Sequence, residues 1–240
     1  MEKLSIFGTS VAKPRIKCAG HGGCTSSIAQ KKTAAKGKKV SSGIFRSKAI
    51  KNGTIFKKYY DRRDLPLKVI YKGNNKKIEW KADIELIDFN CYLPIFFHGL
   101  KEQEEPYKYL VDKGLDDLLT FGKDKILPVL PQLIIPIKSA LSTKNHEVVC
   151  LTLIKLKKLV LAGEMIGESL VPYYRQILPV FNLLRHRNKN TGDKIDYGQK
   201  NGDNLGELIQ ETLEIFEKYG GEDAFINIKY MIPTYESCIY

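Results

Sequence analysis

The sequence contains no apolar run near the ~20 residues that a membrane-spanning helix requires, and no apolar N-terminal stretch resembling a signal peptide. Hydrophobic residues make up 43% of its 240 positions, which is ordinary for a globular protein. That content is enough for one sizeable core or two small ones. We therefore expect a folded protein without a membrane partner.

Acidic residues are almost missing from the first quarter of the chain. Residues 1–58 contain fourteen Lys and Arg against one acidic residue, Glu2, whereas the remaining 182 residues contain 25 basic and 26 acidic residues. The net charge of +12 therefore originates in the N-terminal segment. A uniformly basic domain would indicate a nucleic-acid-binding face. A near-neutral domain with a basic arm indicates an arm that binds an acidic surface.

Cysteines are few and irregularly spaced. The five are Cys18, Cys24, Cys91, Cys150 and Cys238. An odd number at this spacing does not form a disulfide framework, and it favours a reducing compartment. Cys91 and Cys150 lie in apolar runs, where free thiols behave as small hydrophobes.

Metal-binding and catalytic motifs are incomplete or missing. Cys18, His21 and Cys24 resemble three metal ligands, but a structural zinc site needs a fourth and no second Cys/His pair lies nearby. His98, His146 and His186 are isolated. No Gly-x-Ser-x-Gly elbow and no phosphate-loop ending in Gly-Lys-Ser/Thr is present. We predict no metal, no cofactor and no catalytic residues, so that the protein is not an enzyme.

The chain divides into two regions of different amino-acid composition. Residues 1–54 are predicted to be a basic arm that is disordered until bound, because aromatic residues occur there only at Phe7 and Phe45. Residues 55–240 are predicted to be a helical domain. Near its start, Leu67–Tyr71 and Lys77–Trp80 flank a Gly- and Asn-rich turn and predict a β-hairpin.

Beyond Phe89 the apolar spacing predicts helices throughout. The predicted helices are Tyr92–Leu100, Pro106–Phe121, Leu127–Leu141, Asn145–Ala162, Glu168–His186 and Asp203–Tyr219. Gly122 and Gly220-Gly221 are expected to end helices, and Asp203 or Asn204 to cap the last one. Asn145–Ala162 is apolar nearly all round, which is typical of a helix buried on several sides.

The last predicted helix has two distinct faces. Its acidic stripe, Glu207, Glu211 and Glu214, is expected to face solvent. The opposite, apolar face consists of Leu205, Leu208, Ile209, Thr212, Leu213 and Phe216.

Two short sequence motifs that each occur twice indicate a helical repeat. Leu130-Pro131 recurs 41 residues later as Val171-Pro172, and Ile-Leu-Pro-Val occurs at 126–129 and at 177–180. The first spacing fits the ~40–47-residue period of armadillo/HEAT-type repeats, although the second disagrees with it. The fold class predicted is all-α: an armadillo/HEAT-like helical-repeat domain with a small β-hairpin and a disordered or extended basic N-terminal arm.

Two segments are candidates for partner contacts. The basic residues expected to bind an acidic partner are Lys31, Lys32, Lys36, Lys38, Lys39, Arg46 and Lys48. The polar loop 187–202 is longer than the ~4–6 residues typical of such connections. It carries Asp193, Ile195, Asp196 and Tyr197, and it is either a partner contact or a linker. The less favoured alternative is that the arm is a solubilising tail.

Several long stretches strongly resemble the Parkin co-regulated protein family of cilia and flagella. They are YLPIFFHGL at 92–100, KILPVLPQLIIPIKSAL at 125–141, LVPYYRQILPVFN at 170–182, GDKIDYGQ at 192–199 and LIQETLEIFEKYGGEDAFINIKYMIPTYESC at 208–238. The resemblance covers about residues 55–240. The N-terminal arm cannot be aligned with the family.

The resemblance implies a non-catalytic structural protein of the cytoskeleton, in the axoneme of cilia or flagella. Family members look like inner-junction proteins that bridge the A- and B-tubules of doublet microtubules. Implied partners are α/β-tubulin, whose outer surface is acidic, a smaller, mainly β inner-junction protein, and other axonemal proteins. The rival hypothesis is a basic-tailed nucleic-acid-binding or adaptor protein. Residues 8–44 contain no aromatic for base stacking, which disfavours nucleic acid.

Overall fold

The computed structural model describes residues 53–72, 75–186 and 204–239. This part of the chain is mostly helical, with one two-stranded antiparallel sheet between its first and second helices. The helices are α1 Ile55–Asp61, α2 Phe89–Gly99, α3 Tyr107–Gly122, α4 Leu130–Leu141, α5 His146–Leu161, α6 Ile166–Leu170, α7 Tyr174–Leu184, α8 Leu205–Tyr219 and α9 Glu222–Met231. The all-α fold with a small hairpin is confirmed.

The hairpin consists of β1, Leu67–Lys72, and β2, Asn75–Trp80. Leu67 pairs with Trp80 and Val69 with Ile78, so these four side chains share one face, which packs against the helical core. The opposite face carries an ion pair of 2.5 Å between Lys68 and Glu79. Both strands extend further towards the turn than predicted.

Helix α5 is buried around most of its circumference, as its apolar sequence predicted. It contacts α3, α4, α6 and α8. Its side chains Leu153, Leu156 and Leu159 are fully buried, and Asn145 caps its start by accepting a hydrogen bond of 3.2 Å from the backbone N–H of Glu147. Because α4 also contacts α7, helices stack on partners further along the chain, in keeping with the helical stack predicted.

The single helix predicted over Glu168–His186 is wrong. The chain instead forms α6, a 3-10 turn at Val171–Tyr173, and then α7. Pro172 lies in that turn, and its ring nitrogen cannot donate the hydrogen bond that would carry α6 forward. The proline thus separates two helices that the apolar spacing alone had joined.

Of the two repeated sequence motifs, only one has the same structural role in both of its copies. Pro131 lies in the first turn of α4, and Pro172 opens the turn that leads into α7, so both prolines mark helix starts. The repeated Ile-Leu-Pro-Val does not have one structure. Its first copy enters a 3-10 turn at Leu127–Val129, whereas the second lies inside α7, where Pro179 is internal.

The two predicted glycine stops behave differently. Gly221, between α8 and α9, has φ 74 and ψ −170, a combination that is nearly confined to glycine. Gly122 is still helical, with φ −72, and the residue with positive φ is Lys123. A Cβ on Gly122 would lie 2.8 Å from side-chain atoms of Phe89 and Ile126. Close packing, not backbone conformation, therefore accounts for this glycine.

Two helices were not predicted. Helix α1 is short, and only Phe56 is fully buried along it. On α9, Ala224 and Ile228 are buried but Ile226 and Tyr230 are 67% and 77% exposed. Apolar residues therefore lie on both faces, and the pattern lacks the polar face by which an amphipathic helix is recognised.

The apolar face predicted for α8 is confirmed, since Leu205, Leu208, Ile209, Thr212, Leu213 and Phe216 are all buried. Of the acidic stripe, Glu207 and Glu211 are exposed and Glu214 is half-buried. Cys150 is buried, as expected from its apolar run, whereas Cys91 is exposed. The α2 helix turns Cys91 away from the core that its neighbours Leu93 and Ile95 enter.

Substitutions of buried residues on α5 should lower the free energy of unfolding far more than a substitution on the exposed face of α8. We expect Leu153→Ala or Leu156→Ala to lower the free energy of unfolding by ~2–5 kcal/mol, because each truncation leaves a cavity beneath a fully buried side chain. Glu211→Ala removes only an exposed ion pair with Lys157 and should cost under ~0.5 kcal/mol. Urea unfolding of the three variants measures the difference; similar losses would contradict the assigned faces.

Candidate interaction surface

Helix α1 begins on a buried hydrogen-bonded cap. The Thr54 hydroxyl accepts from the backbone N–H of Lys57 at 3.3 Å and donates to Glu102 Oε1 at 2.5 Å. The Thr54 backbone N–H also donates to Glu102 Oε1, at 2.9 Å. Both residues are buried. The first helix of the described chain is therefore fixed to the segment that follows α2.

The inner face of α1 is held by aromatic contacts. The Phe56 ring lies 5.1 Å from that of Phe96, and the Tyr60 ring lies 5.6 Å edge-on from that of Tyr107. The Tyr107 hydroxyl donates to Asp61 at 2.8 Å. The outer face of α1 carries Lys58 together with Ile55, which is 41% exposed.

Carboxylates around α1 already have partners. Lys57 pairs with Glu104 at 2.6 Å, and this hydrogen bond raises the pKa of the Lys57 ammonium. Asp61 and Glu102 are occupied by Tyr107 and Thr54. Lys58, Arg62 and Arg63 are exposed, and no ion pair found among the described residues includes them. We call these three residues the α1 stripe.

The hairpin is bonded to α3 and to the segment that precedes it. The Trp80 indole N–H donates to Asp117 at 2.9 Å, and Lys76 pairs with Glu105 at 2.8 Å. The Tyr109 hydroxyl donates to the backbone carbonyl of Lys76 at 2.5 Å. Helix α1 and the hairpin are thus both anchored to α3 or to the segment that precedes it.

A shallow trough runs along another part of the surface. It is made of three adjoining depressions of ≈ 770, 560 and 620 Å³, the second sharing Phe121 with the first and Lys123 with the third. The partly exposed apolar side chains along it are Leu86, Phe121, Leu127 and Met165. Apolar groups exposed in one concave strip are typical of protein-binding surfaces.

A buried lysine joins α3 to α5. The Lys155 ammonium is 1% exposed and lies 2.5 Å from Asp112 and 2.7 Å from Asp116. Lys158 also pairs with Asp116, at 2.7 Å. Burial acts to raise the pKa of the Asp116 carboxyl, but the hydrogen bonds from Lys155 and Lys158 outweigh it and hold that pKa below its ordinary value.

A buried carboxylate fixes the segment after α9 onto α8. Glu217 is 3% exposed and accepts from the Tyr235 hydroxyl at 2.7 Å, from the backbone N–H of Cys238 at 3.0 Å and from the Ser237 hydroxyl. We call this set the Glu217 clasp. Burial alone would raise the pKa of Glu217, but the donors lower it from 4.5 to about 2. The pKa of Tyr235 is raised, by burial and by the bond to Glu217.

The sequence-predicted site residues lie outside the described residues. This holds for Lys31, Lys32, Lys36, Lys38, Lys39, Arg46 and Lys48 of the arm, and for Asp193, Ile195, Asp196 and Tyr197 of the loop. Cys18, His21 and Cys24 also fall outside. The roles assigned to these residues stay predictions.

The histidines of the described chain occupy ordinary positions. His98 is half-buried, and burial together with the charge of Lys101 lowers its pKa. His146 lies 3.7 Å from the Cys150 sulfur, and His186 is exposed. Within residues 53–72, 75–186 and 204–239 no cluster of three metal-ligating side chains was found. Over the same residues, no helix has the length and apolar content to cross a membrane.

Sequence reasoning missed Glu102, Lys155 and Glu217. Lys155 lies in an otherwise apolar run, and that position is itself a signal that a buried cation needs acidic partners. Glu217 follows the acidic stripe of α8 along the sequence but lies on the buried side, next to Phe216. Glu102 belongs to a charged segment whose composition is typical of solvent-exposed chain, so nothing in the sequence indicated that it is buried.

Comparisons with known proteins identify relatives across nearly all of this structure. A family model described as Parkin co-regulated protein matches residues 54–237. A curated protein of Mus musculus, Parkin coregulated gene protein homolog, is 51% identical over 217 residues, which cover 90% of this chain and 89% of the relative. The family match begins at Thr54, the residue that caps α1.

The Glu217 clasp should make stability depend on pH. Because the pKa of Glu217 is about 2 in the folded protein and 4.5 ordinarily, its ionised form stabilises the fold above about pH 5, and this contribution disappears as pH falls towards 2. We expect Glu217→Gln to lower the free energy of unfolding by up to ~3 kcal/mol at pH 7, and by much less at pH 3.

Urea unfolding at both pH values measures this, with Glu211→Gln as the matched control on the exposed side of the same helix. The control should cost little at either pH. A Glu217→Gln loss that is the same at pH 7 and pH 3 would show that the carboxylate is not ionised in the clasp.

Proposed function

Because the chain belongs to the Parkin co-regulated protein family, we propose that it is a non-catalytic structural protein of the ciliary axoneme. In this proposal it resides in the cytoskeleton of the cilium or flagellum and binds α/β-tubulin. It bridges the A- and B-tubules at the inner junction of doublet microtubules, beside the smaller, mainly β partner protein. The observation that carries the proposal is the family match, which extends over 54–237.

The division of charge supports tubulin binding. The positive balance of the chain lies in residues 1–58, and the remainder is nearly neutral. A basic segment next to a neutral folded domain is attracted to an acidic surface, and that attraction weakens as salt screens it. A segment that becomes ordered on binding loses entropy, so the arm alone should bind weakly. Linked to a domain that also binds, it acts at a high local concentration.

The polar groups of the folded part support a structural role. A perturbed pKa often marks a catalytic residue, but it also arises in structural networks. Here the Glu217 clasp joins the segment after α9 to α8, and Asp116 joins α3 to α5 through Lys155. In both cases the shift is explained by bonds that hold helices together. These groups fix the shape of the domain, as a protein that bridges two filaments requires.

The trough supports a protein partner. Its apolar side chains are exposed along the trough among charged ones such as Lys123 and Asp124, with Leu86 at 82% and Met165 at 54%. Leaving apolar surface in water is unfavourable by ~25 cal/mol per Å². Covering this strip with a neighbouring protein would remove that cost, which suits a component of a permanent assembly.

Charge removal in the arm tests the tubulin-binding part. We expect changing Lys31, Lys32, Lys36, Lys38 and Lys39 to Ala to weaken co-sedimentation with microtubules markedly at low salt. The loss should shrink towards physiological salt, where the screening length is ~8 Å. Changing the same residues to Arg keeps the charge and should preserve binding.

Equal binding by the Ala variant and the unaltered protein at every salt concentration would identify the arm as a solubilising tail. An RNA competitor added to the same assay tests the rival function. Displacement of the protein from microtubules by RNA at low concentrations would favour a nucleic-acid-binding protein.

Imaging tests the bridging part. We expect electron cryo-tomography of intact cilia to place a tagged form of the protein at the junction between the A- and B-tubules, repeating along the doublet. Cilia lacking the protein should lose that density. A tag found elsewhere on the axoneme, with the junction unchanged in its absence, would contradict the assignment.

A further inference from the structure

We propose that the α1 stripe, Lys58, Arg62 and Arg63, is a second, preformed contact for the acidic side chains of a protein partner. The inference rests on the proposed function, because the microtubule supplies the acidic surface. It differs from the arm hypothesis in placing fixed charges on the folded domain. The arm lysines lie outside the described residues, whereas α1 is anchored by Thr54 and Phe56.

Among the residues that the structure describes, the three cations have no acidic partner, and the neighbouring contacts give the reason. Asp61 is bound by Tyr107, Glu102 by Thr54 and Glu104 by Lys57. Asp64, the remaining carboxylate of this stretch, is exposed, and no ion pair found among the described residues joins it to the stripe. The carboxylates that could have neutralised the α1 stripe are therefore mostly engaged elsewhere.

The stripe also has a defined spacing. Lys58 and Arg62 are four residues apart, and the backbone N–H of Arg62 donates to the Lys58 carbonyl, so the two side chains leave the same face of the helix. Their α-carbons are separated by ~6 Å along the helix axis. An exposed helix or loop that carries two or three carboxylates matches this distance.

Arg63 is held in a conformation that is unfavourable for its residue type. Its φ is 64, in the left-handed region where glycine is the usual residue. Its backbone N–H closes the end of α1 on the Tyr60 carbonyl at 2.9 Å. Glycine would make the same turn without strain, so the conformation alone does not explain the arginine. A guanidinium that binds an acidic partner would account for an arginine at this strained position.

The side chains favour carboxylates over nucleic acid as the partner. Two of the three residues are arginines, whose planar guanidinium binds a carboxylate or a phosphate through two parallel hydrogen bonds, so the neighbouring aromatic residues decide between the two. Single-strand nucleic acid binding adds aromatic stacking to such cations. The aromatic rings of α1 are engaged in the fold, because Phe56 is fully buried, Tyr59 packs against the core and Tyr60 packs against Tyr107.

The test compares two charge-matched variants of the full chain with the arm intact. The stripe variant combines Lys58→Gln, Arg62→Gln and Arg63→Gly. The control combines Lys138→Gln, Arg175→Gln and Lys218→Gln, three exposed cations on α4, α7 and α8. Both lose three positive charges, so a difference in binding between them reports where the charge is removed, and Arg63→Gly is also tested alone for its effect on the backbone.

We expect the stripe variant to raise the Kd for microtubules about tenfold at low salt, as the loss of three exposed charge pairs would. The control should change the Kd by less than about twofold. Arg63→Gly alone should leave Tm within ~2 °C of the unaltered protein, because glycine relieves the positive φ, while still weakening binding. That combination distinguishes a binding role from a structural one.

Microtubule binding by the stripe variant that equals that of the control would overturn the inference and leave the proposed function standing. No binding by the unaltered protein at low salt would overturn both. A stripe variant that loses affinity for single-stranded RNA but keeps its affinity for microtubules would overturn the choice of an acidic protein as the partner.

Discussion

The burial of α5 on most sides is the constraint on which the rest of the structure depends. A helix that is apolar nearly all round must be covered by several neighbours, and α3, α4, α6 and α8 provide that cover. Lys155 lies within this buried helix, and an unpaired buried ammonium would cost several kcal/mol. Its pairing with Asp112 and Asp116 therefore fixes which side of α3 faces α5.

The polar contacts divide into two groups with different consequences. Buried ones, such as Thr54–Glu102 and the Glu217 clasp, each have nearly complete hydrogen bonding and set how elements meet. Exposed ones, such as Lys57–Glu104, contribute little to stability. Such a pair instead affects the local charge of the surface. Because Glu104 is bound to Lys57, it does not neutralise the other cations nearby. The α1 stripe is the product of that arrangement.

Much of the fold was predictable, because long apolar periodicities survive in the structure. The burial of α5 and the faces of α8 followed directly from side-chain spacing. Helix α9 did not, since Ile226 and Tyr230 expose apolar groups where a polar face was expected. The break at Pro172 was missed because apolar spacing continues across it. Residues whose role depends on distant partners, such as Glu102 with Thr54, had no local signal, because 48 positions separate them.

The Glu217 clasp has a consequence for the order in which a ribosome-bound chain can fold. The donors to Glu217 come from Tyr235, Ser237 and Cys238, which are synthesised 18 to 21 residues after the carboxylate. The contacts of α2 with α3 and α4 need only residues made much earlier. The first helices can therefore consolidate during translation, whereas α8 cannot be fully buried without leaving a carboxylate uncompensated. Until residue 238 clears the exit tunnel, this end of the domain is the part exposed to chaperones.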